Sequence, residues 1–430
     1  MSQPLVLPEV VASMLASFAP VFGKPSFETF CHYLGGLMLG EGRRTGASIA
    51  RVTADAKSAG VYARLCSRAR WSAEALLDRL GALLLAGLPW PRDSEGRLIV
   101  WAAIDDSVVA KTGKKIPGLA YHFHHNAGKD ARAWPFLFGH CWVTLGLIRP
   151  TLTLTRALCF PLRAALYLRA KDCPPADFRG KIALALDLLD AVHWPTRVCL
   201  YVLADGAYAT RDFLRGVRAR GHHALTRLKC NADLRWPASP QQPGQRGRPR
   251  LYGGKVDLAH YHDSHRQQAP VRIGAQHYLA TYSSLDAIPR RFGRLARIVI
   301  VDLPHHQRAV LLSTDISLSP IEIVERYAMR FAIEIAYREL KQRFGWGHYQ
   351  VRSQEAIKRH VALSFVACSL TTLLLAQRDD QQTVGEIRRA LQGAALLAWL
   401  FRIMGRNALQ RNNALLAQLH HPLLQGMAGV

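Results

Sequence analysis

Acidic residues are scarce in this chain. Of its 430 residues, 31 are aspartate or glutamate and 56 are lysine or arginine, which gives a formal net charge of +25. The cationic residues are spread from the arginines near residue 43 to those near residue 411. A surplus of this size favours a polyanionic partner, and composition alone leaves DNA, RNA, the ribosome and an anionic membrane surface as alternatives.

Cysteine pairs, an export signal and a membrane-spanning run are also missing from the sequence. Its eight cysteines are scattered, with no CxxC pair, which is typical of small core residues in a reducing cytoplasm. No basic residue precedes Lys24, and Pro20 interrupts the apolar amino-terminal stretch, so we expect no secretory signal. The apolar run Val361 to Ala376 is shorter than the ~20 residues that span a bilayer. We therefore expect a cytoplasmic protein with no membrane partner.

Residues 1–95 are predicted to be helical. Apolar positions recur at three- and four-residue spacing, and Pro20, Pro25 and Gly40 interrupt them. This region is rich in arginine, so it presents either a solvated basic face or a surface that binds DNA.

A change to short β-rich runs begins at Leu98. Three such runs, LIVWAAIDDSVV, FLFGHCWVTLGLI and TLTLTRALCF, precede a helix, the strand VCLYVLAD, a second helix and a strand around residues 223–228. The order β-β-β-α-β-α-β predicts an α/β fold, a mixed sheet with helices on both faces, and it is the order of the ribonuclease H-like fold.

Residues 230–318 do not continue that fold. They begin with a Pro/Gly/Gln/Arg-rich loop and continue with β-rich runs, which predicts an inserted antiparallel subdomain. A strong helix, Ile321 to Phe344, is predicted next, and the remaining chain is predicted to be helical.

Acidic residues at the ends of two predicted strands and in the later helix are the candidate catalytic groups. Asp105 and Asp106 lie toward the end of the first strand, Asp205 ends the fourth, and Glu334 lies in the helix after the insertion. Carboxylates there are poorly placed for packing and well placed to bind metal, although each one alone is better explained as a turn or cap residue.

One face of that helix combines an aromatic residue, two cations and a carboxylate. At 100° per residue, Tyr327, Arg330, Glu334 and Lys341 share an arc of about 60°. Glu339 falls on a different face, so the geometry selects Glu334. The alternative is an ordinary amphipathic helix with an Arg330 to Glu334 ion pair.

The spacing Tyr327-x2-Arg330-x3-Glu334-x6-Lys341 resembles the Tyr-Arg-Glu-Lys signature of bacterial insertion-sequence transposases of the DDE class. The stretches IDDSVVAKTGK and YRELKQRFGWGHYQVRS also look like that family's first-aspartate and post-glutamate segments. The resemblance covers about residues 98 to 353. It implies a ribonuclease H-like catalytic core with a β-rich insertion before the helix that carries the glutamate.

The resemblance also implies roles for these residues. Asp105, Asp205 and Glu334 would form the metal-binding triad. Asp106 is an alternative first ligand, and because neighbouring strand residues face opposite sides, only one of the two should point into the site. The other three signature residues, Tyr327, Arg330 and Lys341, would contact DNA phosphates.

Carboxylate oxygens of this kind suit two Mg2+ or Mn2+ ions, which promote in-line attack on phosphorus. The implied activity is cut-and-paste transposition on double-stranded DNA, at terminal inverted repeats and a target site. The implied assembly is a homodimer on the DNA ends, in a nucleoid-associated protein of the cytoplasm.

Two weaker signals concern DNA binding. Arg248 and Arg250 belong to a Gly-Arg-Pro-Arg segment that resembles minor-groove binders, or they belong to a flexible basic loop. Trp346 either stacks on an unpaired base or packs against the helix.

Two other functions stay open on the sequence. One is a catalytically inactive, sequence-specific DNA-binding regulator derived from a transposase, and the other is a non-transposing nuclease of the same fold. The predicted division of the chain is a helical region at 1–95, a catalytic core at 96–229 and 319–353, an insertion at 230–318 and a helical region at 354–430.

Overall fold

A computed structural model describes most of the chain. The described residues are 6–52, 57–113, 115–123, 134–151, 156–239, 248, 250–303, 307–377 and 382–404. The helices are α1 Glu9–Ala16, α2 Lys24–Leu39, α3 Gly46–Val52, α4 Ala59–Ser67, α5 Ala73–Gly87, α6 Lys181–Asp190, α7 Arg211–Ala219, α8 Leu258–Ser264, α9 Pro320–Ala328, α10 Ala332–Gln342, α11 Gln354–Ala376 and α12 Val384–Met404.

Within the described residues, eleven strands join in one sheet. They are β1 Leu98–Ala110, β2 Ala120–Phe123, β3 Phe136–Pro150, β4 Ala157–Tyr167, β5 Val198–Ala204, β6 His223–Leu228, β7 Leu234–Arg235, β8 Gln267–Ile273, β9 Gln276–Pro289, β10 Ala296–Leu303 and β11 Gln307–Ser313. The neighbours run β2-β3-β1-β5-β6-β11-β10-β9-β7, with β4 also on β3 and β8 also on β9. The predicted mixed α/β architecture is confirmed.

The centre of the sheet is parallel and its flanks are antiparallel. β1 pairs in parallel with β5, and β5 with β6, whereas β1 to β3 and β3 to β4 are antiparallel. The run Val100–Ile104 of β1 is fully or almost fully buried, as expected of a central strand that is covered on both faces.

The strands predicted as an insertion extend the same sheet. β11 pairs with β6 in antiparallel register, and β10, β9 and β8 follow as a meander. The catalytic strands and the later strands are therefore connected by backbone hydrogen bonds across one edge. The domain boundaries stay a prediction.

Helices from the two ends of the chain pack together. α11 contacts α2, α4, α5 and α12 as well as β4. Tyr33 and His360 share a hydrogen bond of 2.8 Å between the hydroxyl and Nδ1, and Arg388 donates to the carbonyl oxygens of Met38 and Gly40. α11 is long and apolar enough to cross a membrane, but 83% of its most apolar window is buried inside the protein. It is therefore a core helix.

The predicted helix Ile321 to Phe344 is wrong as a single helix. A short 3-10 turn over Met329–Phe331 separates α9 from α10. α9 begins with a capping box in which Ser319 and Glu322 bond each other's backbone N–H groups. Beyond α10, Gly345 adopts a φ of +67°, and a Cβ there would lie 2.5 Å from the Cβ of Arg44. Glycine is therefore required at this turn.

Candidate active site

The two candidate aspartates lie side by side on neighbouring parallel strands. The register pairs Ile104 of β1 with Ala204 of β5, so Asp105 and Asp205 follow at equivalent positions. Parallel neighbours are spaced about 4.8 Å apart. Asp205 then caps a short 3-10 turn, with its Oδ1 accepting a hydrogen bond of 2.6 Å from the N–H of Gly206.

Arg330 joins Asp105 to Glu334. Its Nη1 lies 3.2 Å from Oδ2 of Asp105, and its Nη2 lies 2.6 Å from Oε1 of Glu334. The Arg330 and Asp105 side chains are largely buried, whereas 42% of the Glu334 side chain is exposed. One guanidinium therefore holds two carboxylates that are 229 positions apart in the sequence.

Asp106 points to the opposite face of the sheet. Its Oδ2 accepts a hydrogen bond of 2.7 Å from Nζ of Lys181 at the start of α6, and its Oδ1 lies 3.4 Å from the Tyr208 hydroxyl. The alternation of strand side chains thus separates the two aspartates. Asp105 faces Arg330 and Glu334, and Asp106 does not.

The electrostatics of the site are dominated by burial of a carboxylate. Burial raises the pKa of Asp105 to about 7 even though Arg330 opposes the shift, and the charges of Asp106 and Asp205 add to it. Burial also raises the pKa of Tyr327, whose hydroxyl is influenced by the charges of Arg330 and Asp205.

Lys341 lies on the same side of β1 as Asp105. Its Nζ donates a hydrogen bond of 2.8 Å to Oγ of Ser107, two residues beyond Asp105. Burial lowers the pKa of this lysine. A partly buried ammonium on the Asp105 face of β1, two residues along the strand, is suited to a phosphate oxygen.

The donor set fits a divalent cation, because three carboxylates supply hard oxygen ligands and a cationic group already lies between two of them. Within the described residues, however, no group of three or more His, Cys, Asp or Glu side chains is arranged closely enough to hold an ion. The guanidinium of Arg330 occupies the position between Asp105 and Glu334. Closing the three carboxylates on a metal requires Arg330 to withdraw from at least one of them.

Sequence reasoning was wrong about the accessibility of Trp346. The indole is fully buried, stacks on Tyr337 with ring centroids 5.5 Å apart, and meets the edge of Phe365. A ring enclosed in this way packs against the helix, which is the alternative reading given for it. It presents no face to a DNA base.

Arg248 and Arg250 are exposed, and each is flanked by residues outside the described part of the chain. The structure brings neither one into the carboxylate cluster, and their role in DNA binding stays a prediction.

Two contributors were not anticipated from the sequence. Lys181 fixes Asp106 from 75 positions away, and Tyr337 shares a hydrogen bond of 2.5 Å with Thr144, which ties α10 to β3. The sequence around Lys181 and Tyr337 does not reveal these contacts, because each partner lies on a strand that is distant in the sequence.

The family described as DDE superfamily endonuclease matches residues 17–284. Because the match covers more than half of the chain, the chain belongs to this family. The matched segment includes Asp105 and Asp205 and ends before α9. A comparison with curated proteins finds no match.

Membership makes the chain a transposase-like nuclease with a ribonuclease H-like fold. DNA is the substrate that the family implies, and its members generally use divalent metal ions. Family membership leaves three points to the proposal below: the branch with the Tyr-Arg-Glu-Lys signature, the identity of the ion and the joining of strands.

Proposed function

We propose that the chain is a cut-and-paste transposase that cleaves and joins DNA at the inverted-repeat ends of an insertion sequence. The observation that carries this proposal is the bridge from Asp105 to Glu334 through Arg330, next to Asp205. These groups come from β1, β5 and the α9–α10 segment, which is the arrangement that the Tyr-Arg-Glu-Lys signature implies.

The proposed metal ligands are Asp105, Asp205 and Glu334, for two Mg2+ or Mn2+ ions. Asp106 is left out of this set, because its bond to Lys181 on the other face supports a structural role. When bound, such ions stabilise the attacking and departing oxygens of an in-line displacement at phosphorus.

The protein's own cations act around this centre. Arg330 holds Asp105 and Glu334 at a distance that limits their repulsion, and its guanidinium then offers a bidentate donor to a DNA phosphate. Lys341 and the Tyr327 hydroxyl are proposed to bind phosphates on the same strand. Arg248 and Arg250 would contact DNA outside the site.

The division of the chain into regions and the working assembly belong to the same proposal. Residues 1–95 would bind the DNA ends, 96–229 with 319–353 would form the catalytic core, 230–318 the insertion, and 354–430 a helical region. The working assembly would be a homodimer on DNA ends in the cytoplasm, associated with the nucleoid.

The test is the substitution Glu334→Gln, which keeps the shape of the side chain but removes the charge that holds a metal. We expect loss of Mg2+-dependent strand cleavage with nearly unchanged binding to inverted-repeat DNA. Thermal melting gives a second readout, since Mg2+ should stabilise the unaltered protein and not the variant.

Glu355→Gln is the matched control. Glu355 also pairs with an arginine four positions away, with 3.1 Å between Oε1 and Nε of Arg359, and half of its side chain is exposed. Glu339 is a poorer control, because its side chain is only 15% exposed and pairs with Arg343. Equal losses in the Glu334 and Glu355 variants would refute the proposed site.

Mapping the reaction products separates the other functions. Transposition requires donor ends joined to target DNA, whereas a non-transposing nuclease yields cut ends alone. A DNA-binding regulator yields neither product in Mg2+ or Mn2+.

A further inference from the structure

A cluster of exposed aromatic rings lies on the hairpin formed by β2 and the start of β3. We call it the aromatic ladder; its members are Tyr121, Phe123, Trp134, Phe136 and Phe138. Between 41% and 71% of the surface of each of the first four is exposed. Ring centroids lie 5.0 Å apart for Tyr121 and Phe138, 5.8 Å for Phe123 and Phe136, and 5.6 Å for Trp134 and Phe136.

The ladder is on the same face of the sheet as the candidate carboxylate site. Asp105 pairs with Thr144 of β3, and alternation along β3 places Phe138 and Phe136 on the Thr144 face. Tyr121 and Phe123 pair with those two residues across the hairpin and share their face. At about 3.3 Å per residue, the ladder lies roughly 20–26 Å from Thr144 along one strand.

Cations lie on the way from the site to the ladder. Lys111 directly follows β1. Its Nζ lies 3.3 Å from the centre of the Tyr349 ring and donates to the carbonyl oxygens of Gly347 and Tyr349, so phosphate contacts fall to the exposed cations near it. Arg43 is exposed and close enough for its charge to lower the pKa of Lys111, after burial, to about 8. Lys115, just before β2, is exposed as well. Positive charge on this path is complementary to a phosphate backbone and not to another copy of a chain that carries +25.

The geometry points to the aromatic ladder as a binding surface for the unpaired bases of a DNA strand that leads away from the cut. Bases in a duplex are stacked on each other, so only an unpaired strand offers ring faces to protein side chains. Successive ladder rows are two residues apart, which is about 7 Å and close to twice the 3.4 Å rise per nucleotide. A strand that leaves the carboxylates along β3 would therefore stack bases on these rings while its phosphates meet the cations.

This inference rests on the proposed function for the position of the cut, but the binding itself can be measured separately. The full chain is titrated, in chelator and at one fixed salt concentration, with a labelled oligothymidylate of about 12 nucleotides and with a duplex of the same length. Fluorescence anisotropy reports both affinities, and without metal no cleavage intervenes.

The decisive variant carries Phe123→Ala and Phe136→Ala. We expect it to weaken single-strand binding by about tenfold or more and to change duplex binding by less than about twofold. The fluorescence of Trp134 supplies a second readout. It is identified as the emission that is lost in Trp134→Phe, and it should be quenched when the oligothymidylate binds. Phe178→Ala is the control. This exposed phenylalanine lies three residues before Lys181, which bonds Asp106 on the opposite face of the sheet. Its removal should change neither the single-strand nor the duplex affinity.

Unchanged single-strand affinity in the double variant would overturn the inference, and so would an equal loss for both DNA forms. Abolition of a concentration-dependent dimer, with single-strand binding intact, would also overturn it by making the ladder a protein interface. If Mg2+-dependent cleavage is absent while the ladder variant still loses single-strand binding, the proposed function fails and this inference stands.

Discussion

At the scale of single residues, the guanidinium of Arg330 takes the place between two carboxylates that a metal ion would occupy. Asp105 and Glu334 would repel each other if both were charged and unpaired, and the guanidinium offsets that repulsion. The same group must be displaced before the two carboxylates can share an ion. Metal binding and the position of Arg330 are therefore coupled.

The raised pKa of Asp105 has a consequence for stability in the absence of metal. The folded protein keeps a proton on Asp105 up to about pH 7, whereas the ordinary value is 3.8. Folding therefore takes up a proton across this window, and the contribution of Asp105 to the free energy of unfolding falls as pH rises from about 4 to 7. In chelator, we expect Asp105→Asn to be more stable than the unaltered protein at pH 8, by on the order of 2 kcal/mol, and equal near pH 4.

Urea unfolding at a series of pH values measures this difference. Asp187→Asn serves as the control for replacing a carboxylate with an amide, because Asp187 is an exposed partner of Arg179 and lies outside the candidate site. A stability difference for Asp105→Asn that is the same at every pH would show that burial does not hold a proton on this group.

At the scale of secondary-structure elements, the contact of α10 with β3 fixes the helix that carries Glu334. The hydroxyl groups of Tyr337 and Thr144 bond each other at 2.5 Å in a buried setting. We expect Thr144→Val to lower the free energy of unfolding by about 1 kcal/mol, because it leaves the buried Tyr337 hydroxyl without this partner. Tyr337→Phe should lower it by less, because Oγ1 of Thr144 still has a bond of 3.4 Å to the carbonyl oxygen of Asp105.

The double variant removes both hydroxyl groups, so its loss should be smaller than the sum of the single losses. Urea unfolding of the unaltered protein, the two single variants and the double variant provides this double-mutant cycle. Strict additivity would mean that the two hydroxyls do not interact in solution.

Much of the element order could be predicted because it depends on local patterns. The strand at 223–228 was placed correctly, and the helix expected at 210–220 is α7, Arg211–Ala219. The short helices α3 and α4 were not delimited, because each is only two or three turns long and has few periodic apolar positions. The 3-10 turn between α9 and α10 was missed, because a constant 100° per residue hides a local change in winding.

The candidate site could be predicted only as far as residue types and spacing allow. Alternation indicated that Asp105 and Asp106 face opposite sides, but the sequence does not say which helix covers which face. Trp346 illustrates the same limit, since an aromatic residue after a helix suits both a core and a binding surface. The packing of α11 decides for the core.

At the scale of the whole molecule, the net charge of +25 should make DNA binding strongly dependent on salt. If about six or more phosphates are contacted, the affinity should fall by about a thousandfold or more between roughly 50 and 200 mM salt. Lys341→Ala should reduce the slope of log K against log salt by about one, because one proposed phosphate contact is lost.

Anisotropy titrations with inverted-repeat DNA in chelator give this slope. Arg179→Ala is the control, since Arg179 is an exposed arginine paired with Asp187 and should leave the slope unaltered. A slope that implies fewer than about two contacts would show that the positive charge is not used on phosphates.

The hydrogen bonds between β11 and β6 fix the distance from the later strands to the strand that leads into Asp205. From β5, which leads into Asp205, the sheet steps through β6, β11 and β10 to β9, and strand spacing of about 4.8 Å makes that span roughly 19 Å. Loops can lengthen without altering this distance, because ladder bonds and not loops set it. A side chain on β9 is thus held at a fixed offset from the carboxylates, and if β9 contacts DNA, the number of intervening strands sets the distance from that contact to the proposed site of the cut.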